Sequence, residues 1–321
     1  MSPGGMSPKR FPAYQDIDGV KYALGYRAVD IREALSYMPR DDDIVMVSHL
    51  KCGNNWLEQI MQLILYKGQS AKTMSEFHQR TPYLELVGTS QLEAMPPPRF
   101  YKTHFPYELQ PINSRAKYVY ITRNPLDVCV SFYHYTCFMP IYKFDGGAFD
   151  DFFELFVTGQ TDHGDIIDHL VSWYKHKDDS NVLILTYEDL KRDFRNTVLS
   201  LALFLGEEYA RSLQRDEELY QMIVERSSIS FMSKFLVLKD DKLKSTMLQG
   251  EDPYMKAIRR FLCDEPGQSR RIELVRKGTV GDWKTLFKRQ HLDRLRCRIQ
   301  EKGAAHILQD LWNAEDLGGL I

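Results

Sequence analysis

No apolar run in this sequence is long enough to cross a membrane. The longest, Val198 to Leu205, is interrupted by Ser200 and falls far short of the roughly 20 residues a spanning helix needs. A signal peptide is also missing, because Met1 to Asp16 is polar, rich in Pro and Gly, and has no apolar core. Charge of one sign is not in excess: 42 Lys and Arg face 44 Asp and Glu, for a formal net charge of -2. No global field therefore draws nucleic acid or an anionic membrane, and any anion site must be local. Cysteine is scarce. Cys52, Cys129, Cys137, Cys263 and Cys297 form no C-x-x-C pair and leave one over, so neither a zinc ribbon nor a disulfide framework is suggested. Internal repeats and low-complexity tracts are absent as well. Together these absences predict a cytoplasmic chain with reduced thiols.

The composition that remains is that of a globular protein, with 43% hydrophobic and 27% charged residues over 321 positions. One domain spanning 1–321 is expected, with 1–20 flexible and 235–271 a mobile segment, since charges, Gly and Pro mix there without periodicity. Short apolar runs at Ile44–Val47, Tyr118–Thr122 and Val182–Leu185 predict strands, the last of them buried, and a short run, Arg99–Thr103, follows the Pro-rich break Met95–Pro98. Helical patterns cover Asn55–Tyr66, Phe149–Val157, Ile166–Lys175, Glu188–Phe194 and a tail from Leu292 to Trp312. Asn124 followed by Pro125 predicts a capped helix start. Strands alternating with helices imply an α/β fold, a central parallel sheet flanked by helices, with ligands at the carboxyl ends of the strands.

The segment Ser48-His49-Leu50-Lys51-Cys52-Gly53-Asn54-Asn55-Trp56 stands between the first of those strands and its helix. A helix start offers free amide protons and a positive dipole end. Lys51 adds a mobile charge, Gly53 permits close backbone approach, and Cys52 is a small filler of the loop. This P-loop-like strand, loop and helix differs from the commonest phosphate loop, in which Lys follows the last Gly and a Ser or Thr holds magnesium. Here Lys precedes Gly and no hydroxyl follows, so a phosphate-like anion would be held without a metal. Arg123, ending a strand, can fork onto a phosphate, and Ser131, two turns into the next helix, can add a hydrogen bond. Arg276-Lys277-Gly278-Thr-Val-Gly281-Asp282-Trp283-Lys284 pairs two cations with two glycines in a turn able to wrap an anion.

These elements, in this order, resemble the cytosolic sulfotransferase family over about residues 40 to 290, in an arthropod-like small-molecule form. Lys51 to Trp56 is similar to the family's 5'-phosphosulfate loop, and Lys102-Thr103-His104-Phe105-Pro106 to its Lys-Thr-His-Leu-Pro element. Arg123 through Ser131 is similar to its 3'-phosphate helix, and Arg276 to Lys284 to its Arg-Lys-Gly-x-x-Gly-Asp-Trp-Lys element. The resemblance implies that 3'-phosphoadenosine 5'-phosphosulfate (PAPS) is the cofactor and adenosine 3',5'-bisphosphate (PAP) its product. It implies that Lys51, Cys52, Gly53, Asn54 and Asn55 hold the 5' end, and that Arg123, Ser131, Arg276, Lys277 and Gly278 hold the 3'-phosphate. Trp56 and Tyr187 would frame the adenine, with Ser227 near its amino group and Ile229 where a Phe often covers the ring.

Sulfuryl transfer needs an activated acceptor, stabilised sulfuryl oxygens and a neutralised leaving phosphate. His104 would serve as general base, Lys102 would steady the sulfuryl oxygens, and Lys51 would donate to the bridging oxygen, with no metal. Tyr83, Leu86, Phe132, Tyr135 and Met247 match positions near the family's substrate cleft and suit a small, phenolic or catechol-like acceptor, over which the 235–271 segment would close. Departures are Asn54 and Asn55 in place of two threonines, His49-Leu50 in place of Tyr-Pro, and the lack of the family's Lys-x-x-x-Thr-Val-x-x-x-Glu dimer element, which leaves a homodimer open.

Overall fold

The structure, a computed structural model, describes residues 9–239, 253–262 and 271–321. It starts with an antiparallel hairpin, β1 (Gln15–Ile17) and β2 (Val20–Tyr22). The flexible start expected to residue 20 is thus tied down earlier. The Gln15 side-chain amide donates to the carbonyls of Ala23 and Tyr26, both at 2.8 Å, and Ile17 is buried.

Four parallel strands form the central sheet: β3 (Ile44–Val47), β4 (Phe100–Thr103), β5 (Lys117–Thr122) and β6 (Val182–Thr186), in spatial order β4-β3-β5-β6. Register pairs Val47 with Thr103 on one side and with Tyr120 on the other, and Thr122 with Thr186. Side chains alternate between two cores, as the two-residue period of a strand requires. Val45, Val47, Tyr118 and Tyr120 face one, while Ile44, Met46, Val119 and Ile121 face the other. Each fully buried aliphatic residue contributes on the order of 1.5–3 kcal/mol, which is why these strands read as apolar runs on both faces. β6 departs from the expected buried strand. It pairs only with β5, and Leu183 and Ile184 in its middle are partly exposed.

Every strand ends on the same edge and feeds a helix or a turn. β3 runs through the Lys51 loop into α1 (Asn54–Leu65), and β5 into α2 (Pro125–Phe138), where the Asn124 side chain accepts from the Asp127 amide. β6 runs directly into α3 (Tyr187–Arg192), which stops at Asp193; that residue caps the next helix, Phe194–Leu205. The single helix expected over Glu188–Phe194 is therefore divided. The helical tail is also two helices, Arg289–Glu301 and Ala305–Leu311, separated at Gly303 with φ +64°.

Of the 235–271 segment expected to be mobile, the described parts are β7 (Val237–Lys239), paired antiparallel with β8 (Arg271–Glu273), and α4 (Pro253–Leu262). α4 buries Tyr254, Ala257 and Phe261 against the main core. Met247 lies outside the described residues.

Candidate active site

The loop after β3 is shaped by two left-handed residues, Lys51 at φ +68° and Gly53 at φ +100°. Glycine is required at the second, because a Cβ there would stand 2.6 Å from the Tyr187 ring. Asn54 and Asn55 open α1, so their amides have no carbonyl four residues back within the helix. The Lys51 Nζ rests 4.1 Å from the centroid of the Tyr135 ring. Burial, followed by repulsion from Arg123 and Arg276, pushes its ammonium down to about 8. Three cations converge here, which is how a cleft prepares for a polyanion.

Cys52 differs from its neighbours. Its side chain is fully buried below the loop, with Sγ 3.8 Å from the Leu50 carbonyl, and burial pushes the thiol up to about 12. As a side chain it therefore takes no part in the cleft.

On the far side of the loop, Arg123 is held by the Asp127 carboxylate (3.1 Å) and the Thr279 carbonyl (2.7 Å), both through Nη2, while its guanidinium lies 4.4 Å from the Tyr187 ring centroid. Its buried Nε has no partner among the described residues, a donor left for an anion. Asp127 also accepts from the amides of Gly281 (2.8 Å) and Trp283 (2.9 Å). One buried carboxylate thereby joins the C-terminal turn to the start of α2, across more than 150 residues of sequence. Asp282 accepts from Lys277 (2.7 Å) and Arg276 (2.5 Å), fixing both cations at the cleft wall, and their charge holds its carboxyl below the usual range against the effect of burial. Gly278, at φ +63°, leaves room for Ile229, whose Cδ1 would be 2.6 Å from an added Cβ.

Trp56 and Tyr187 meet edge to face at 5.2 Å, Phe194 stacks on Trp56 at 5.9 Å, and the Lys191 Nζ lies 4.7 Å from the Trp56 ring centroid. Ser227 donates to the Ile223 carbonyl at 2.7 Å and borders the same space.

At the other end, β4 delivers Lys102 and His104. The His104 Nδ1 lies 2.6 Å from the Ser48 carbonyl, which can only accept, so Nδ1 carries the proton and Nε2 the lone pair. Asn54 Nδ2 donates toward Nε2 at 3.5 Å. Burial, opposed by the Ser48 hydrogen bond and reinforced by Lys102 and His49, holds the imidazole down at about 3, so it is neutral. The His104 amide and the Thr103 hydroxyl (2.8 Å) both donate to Glu85 Oε1, which anchors this turn. Lys102 is ion-paired with the buried Glu58 at 2.5 Å.

A continuous cleft of about 700 Å³ joins these parts. Bordering it are Lys51, Gly53, Asn54, Asn55, Trp56, Lys102, His104, Arg123, Ser131, Tyr187, Ser227, Ile229, Arg276, Lys277 and Gly278, together with Tyr83, Leu86 and Tyr135. Phe132 is not among them. On α2 the cleft is bordered by Ser131, His134, Tyr135, Cys137 and Phe138, while Phe132, one residue around the helix from Ser131, packs instead on Phe152 at 5.5 Å. Reading the sequence missed Asp127, Asp282, Glu58, Glu85, His78, Lys191 and the aromatic walls Tyr26, Tyr254 and Phe261. Only Asp127 and Asp282, which stand inside recognised elements, carried a local signal.

The unpartnered Arg123 Nε and the two bare glycine positions fit a nucleotide with phosphates at both ends. Among the described residues there is no group of three or more His, Cys, Asp or Glu able to hold a metal ion, and no helix long and apolar enough to cross a membrane.

Comparison with known proteins agrees with this geometry. The sulfotransferase domain model matches residues 41–306. An amine sulfotransferase of Oryctolagus cuniculus is 29% identical, covering 92% of this chain and 95% of its own length. Sulfotransferase 1E1 of Bos taurus is 32% identical over 77% of this chain and 79% of its own. Mouse sulfotransferase SULT7A1 complexed with PAP superposes with a TM-score of 0.68 at 25% identity, covering 93% of this chain and 99% of its own. Retinol dehydratase in complex with retinol and PAP shares the fold, with a TM-score of 0.61 at 22% identity over 86% of each chain. Its anion-binding cleft and the match over most of its length identify the chain as a member of the sulfotransferase family, a PAPS-dependent enzyme that transfers a sulfuryl group to an acceptor.

Proposed function

We propose that the acceptor is the hydroxyl, or amine, of a small phenolic or catechol-like molecule, and that His104 is the general base. One observation carries the second part: the tautomer of His104 is set by Ser48, which leaves the Nε2 lone pair on the cleft side between Lys102 and the Lys51 loop. Aromatic side chains support the first part, since Tyr26, Tyr83 and Tyr135 border the same end and flat apolar walls favour a flat acceptor.

PAPS supplies the activated sulfuryl group, with PAP as the leaving group. The protein's residues do the rest. His104 Nε2 takes the acceptor proton as the acceptor oxygen bonds to sulfur. Lys51 swings from the Tyr135 ring to donate to the bridging oxygen as the sulfur–oxygen bond breaks and its electron pair leaves with the phosphate. Lys102 donates to the sulfuryl oxygens. Arg123, Ser131, Arg276, Lys277 and the Gly278 turn hold the 3'-phosphate, the amides of Gly53, Asn54 and Asn55 hold the 5' end, and Trp56, Tyr187, Ser227 and Ile229 frame the base. A burial-weakened imidazole gains basicity when an anion is brought beside it, because the imidazolium that forms then has a counter-charge.

His104→Ala tests this reading. Turnover of a phenol should fall roughly a hundredfold or more, the usual contribution of a positioned base, while calorimetric PAP affinity changes less than about twofold. A folded variant that sulfates the phenol at near wild-type rate refutes the assignment.

A further inference from the structure

Beside Lys102 stand polar groups that the transfer chemistry does not use, of which His78 borders the cleft and Glu58 lies buried behind it. Glu58 gives one carboxylate oxygen to Lys102, and its other oxygen, Oε1, has no partner among the described residues. His78 Nδ1 is 3.9 Å from that oxygen, beyond hydrogen-bond reach. Neither ring nitrogen of His78 has a hydrogen-bond partner among the described residues, although the residue is only 2% exposed. Tyr254 stacks on its face at 3.5 Å and Phe77 meets it edge-on at 5.1 Å, while the residue borders the cleft. Buried polar groups are ordinarily satisfied, and one that is not, in the wall of a binding cleft, points to a ligand group.

We infer that His78 is a specificity-determining residue that receives a second hydroxyl of the acceptor, other than the hydroxyl presented to His104. The inference rests on the small aromatic acceptor proposed above and adds a second polar end to it. The local charges select the chemistry. Burial and the Lys102 charge keep His78 neutral, so it offers one N–H and one lone pair, which a hydroxyl matches because it both donates and accepts. An ammonium or a carboxylate group would each lose its hydration beside a Lys102–Glu58 pair whose charges already neutralise one another. A neutral aromatic diol avoids both.

The test uses the protein saturated with PAP and reads acceptor binding by calorimetry, independently of turnover. 2,7-Dihydroxynaphthalene should bind at least about tenfold tighter than 2-naphthol, because the monohydroxy compound leaves His78 unsatisfied. That advantage should fall to within about twofold in His78→Phe and be largely kept in His78→Gln. Equal binding of the two naphthols to the wild-type protein overturns the inference, as does an advantage that survives His78→Phe. Tighter binding of 4-(2-aminoethyl)phenol than of 4-(2-hydroxyethyl)phenol overturns the neutral-hydroxyl assignment. Should His78→Phe fail to fold, the wild-type comparison and His78→Gln still decide. If the diol binds preferentially but neither naphthol is sulfated, the proposed phenolic acceptor fails while the His78 subsite stands.

Discussion

At the nucleotide end of the cleft, polar contacts come from turns at the ends of strands and from carboxylates that tie those turns together. At the acceptor end they come from single side chains brought in by segments far apart in sequence: Tyr26 after β2, His78 on a short helix before β4, and Tyr254 on α4. The first end is rigid by construction, since Asp127 and Asp282 together fix Arg123, Arg276, Lys277 and two backbone amides. At the second, hydrogen-bonding capacity is left open at His78 and Glu58. A bisphosphate presents the same charges at every turnover, so its site can be preorganised. In the reading proposed above, the acceptor wall instead selects by which polar groups it leaves unmet.

This contrast can be broken most severely at Gly53. Gly53→Ala forces a side chain into the left-handed region and drives a Cβ toward the Tyr187 ring, costing roughly 2–4 kcal/mol in all. Urea denaturation should register that loss, and PAP affinity should fall about a hundredfold. Retained affinity in a stable variant would mean that the loop is not preorganised.

Asp127→Ala is the next test. It leaves two amides without their acceptor and takes one of two acceptors from the Arg123 guanidinium, and should weaken PAP binding by about tenfold, with a melting temperature lower by several degrees. Acceptor binding measured at saturating PAP should be little changed. If it fell equally, the two ends would be one cooperative unit.

The smallest effect is that of pH on Lys51. Its folded value of about 8 is below its ordinary value of 10.5, so between those limits the unfolded chain binds the extra proton and stability rises with pH. Anion binding has the opposite sign. As pH passes upward through about 8 the free loop loses its charge, and PAP affinity should decline by about fivefold between pH 8 and pH 9, with the decline absent in Lys51→Met. A flat profile up to pH 9.5 would place Lys51 outside the nucleotide contacts.

Much of this molecule could be read from its residues because the information is local. Three of the four central strands are apolar runs, while Phe100–Thr103 is too polar to read as one, and the loops proposed to hold anions, Lys51–Trp56, Arg123–Ser131 and Arg276–Lys284, are short segments whose backbone turns and charges sit together in sequence. What could not be read depends on rotation about a helix axis or on long-range pairing. Phe132 and Ser131 are adjacent, yet one faces the core and the other the cleft. Cys52 lies between two residues that border the cleft but is itself turned inward.

The sequence alone therefore determined the α/β class, three of the four central strands and the short segments that combine turns with cations, since period, turn chemistry and charge spacing are encoded within a few residues. The tertiary structure decided the rest. Pairing β4 and β5 on opposite sides of β3 brings Lys102, His104, Lys51 and Arg123 to one edge. Burial beside the Ser48 carbonyl makes His104 neutral, with the Nε2 lone pair turned to the cleft and to Asn54. Packing of α4 over His78 leaves two ring nitrogens unsatisfied in the cleft wall. Protonation and hydrogen-bond satisfaction depend on what lies nearby in space, and no residue carries that in its own identity.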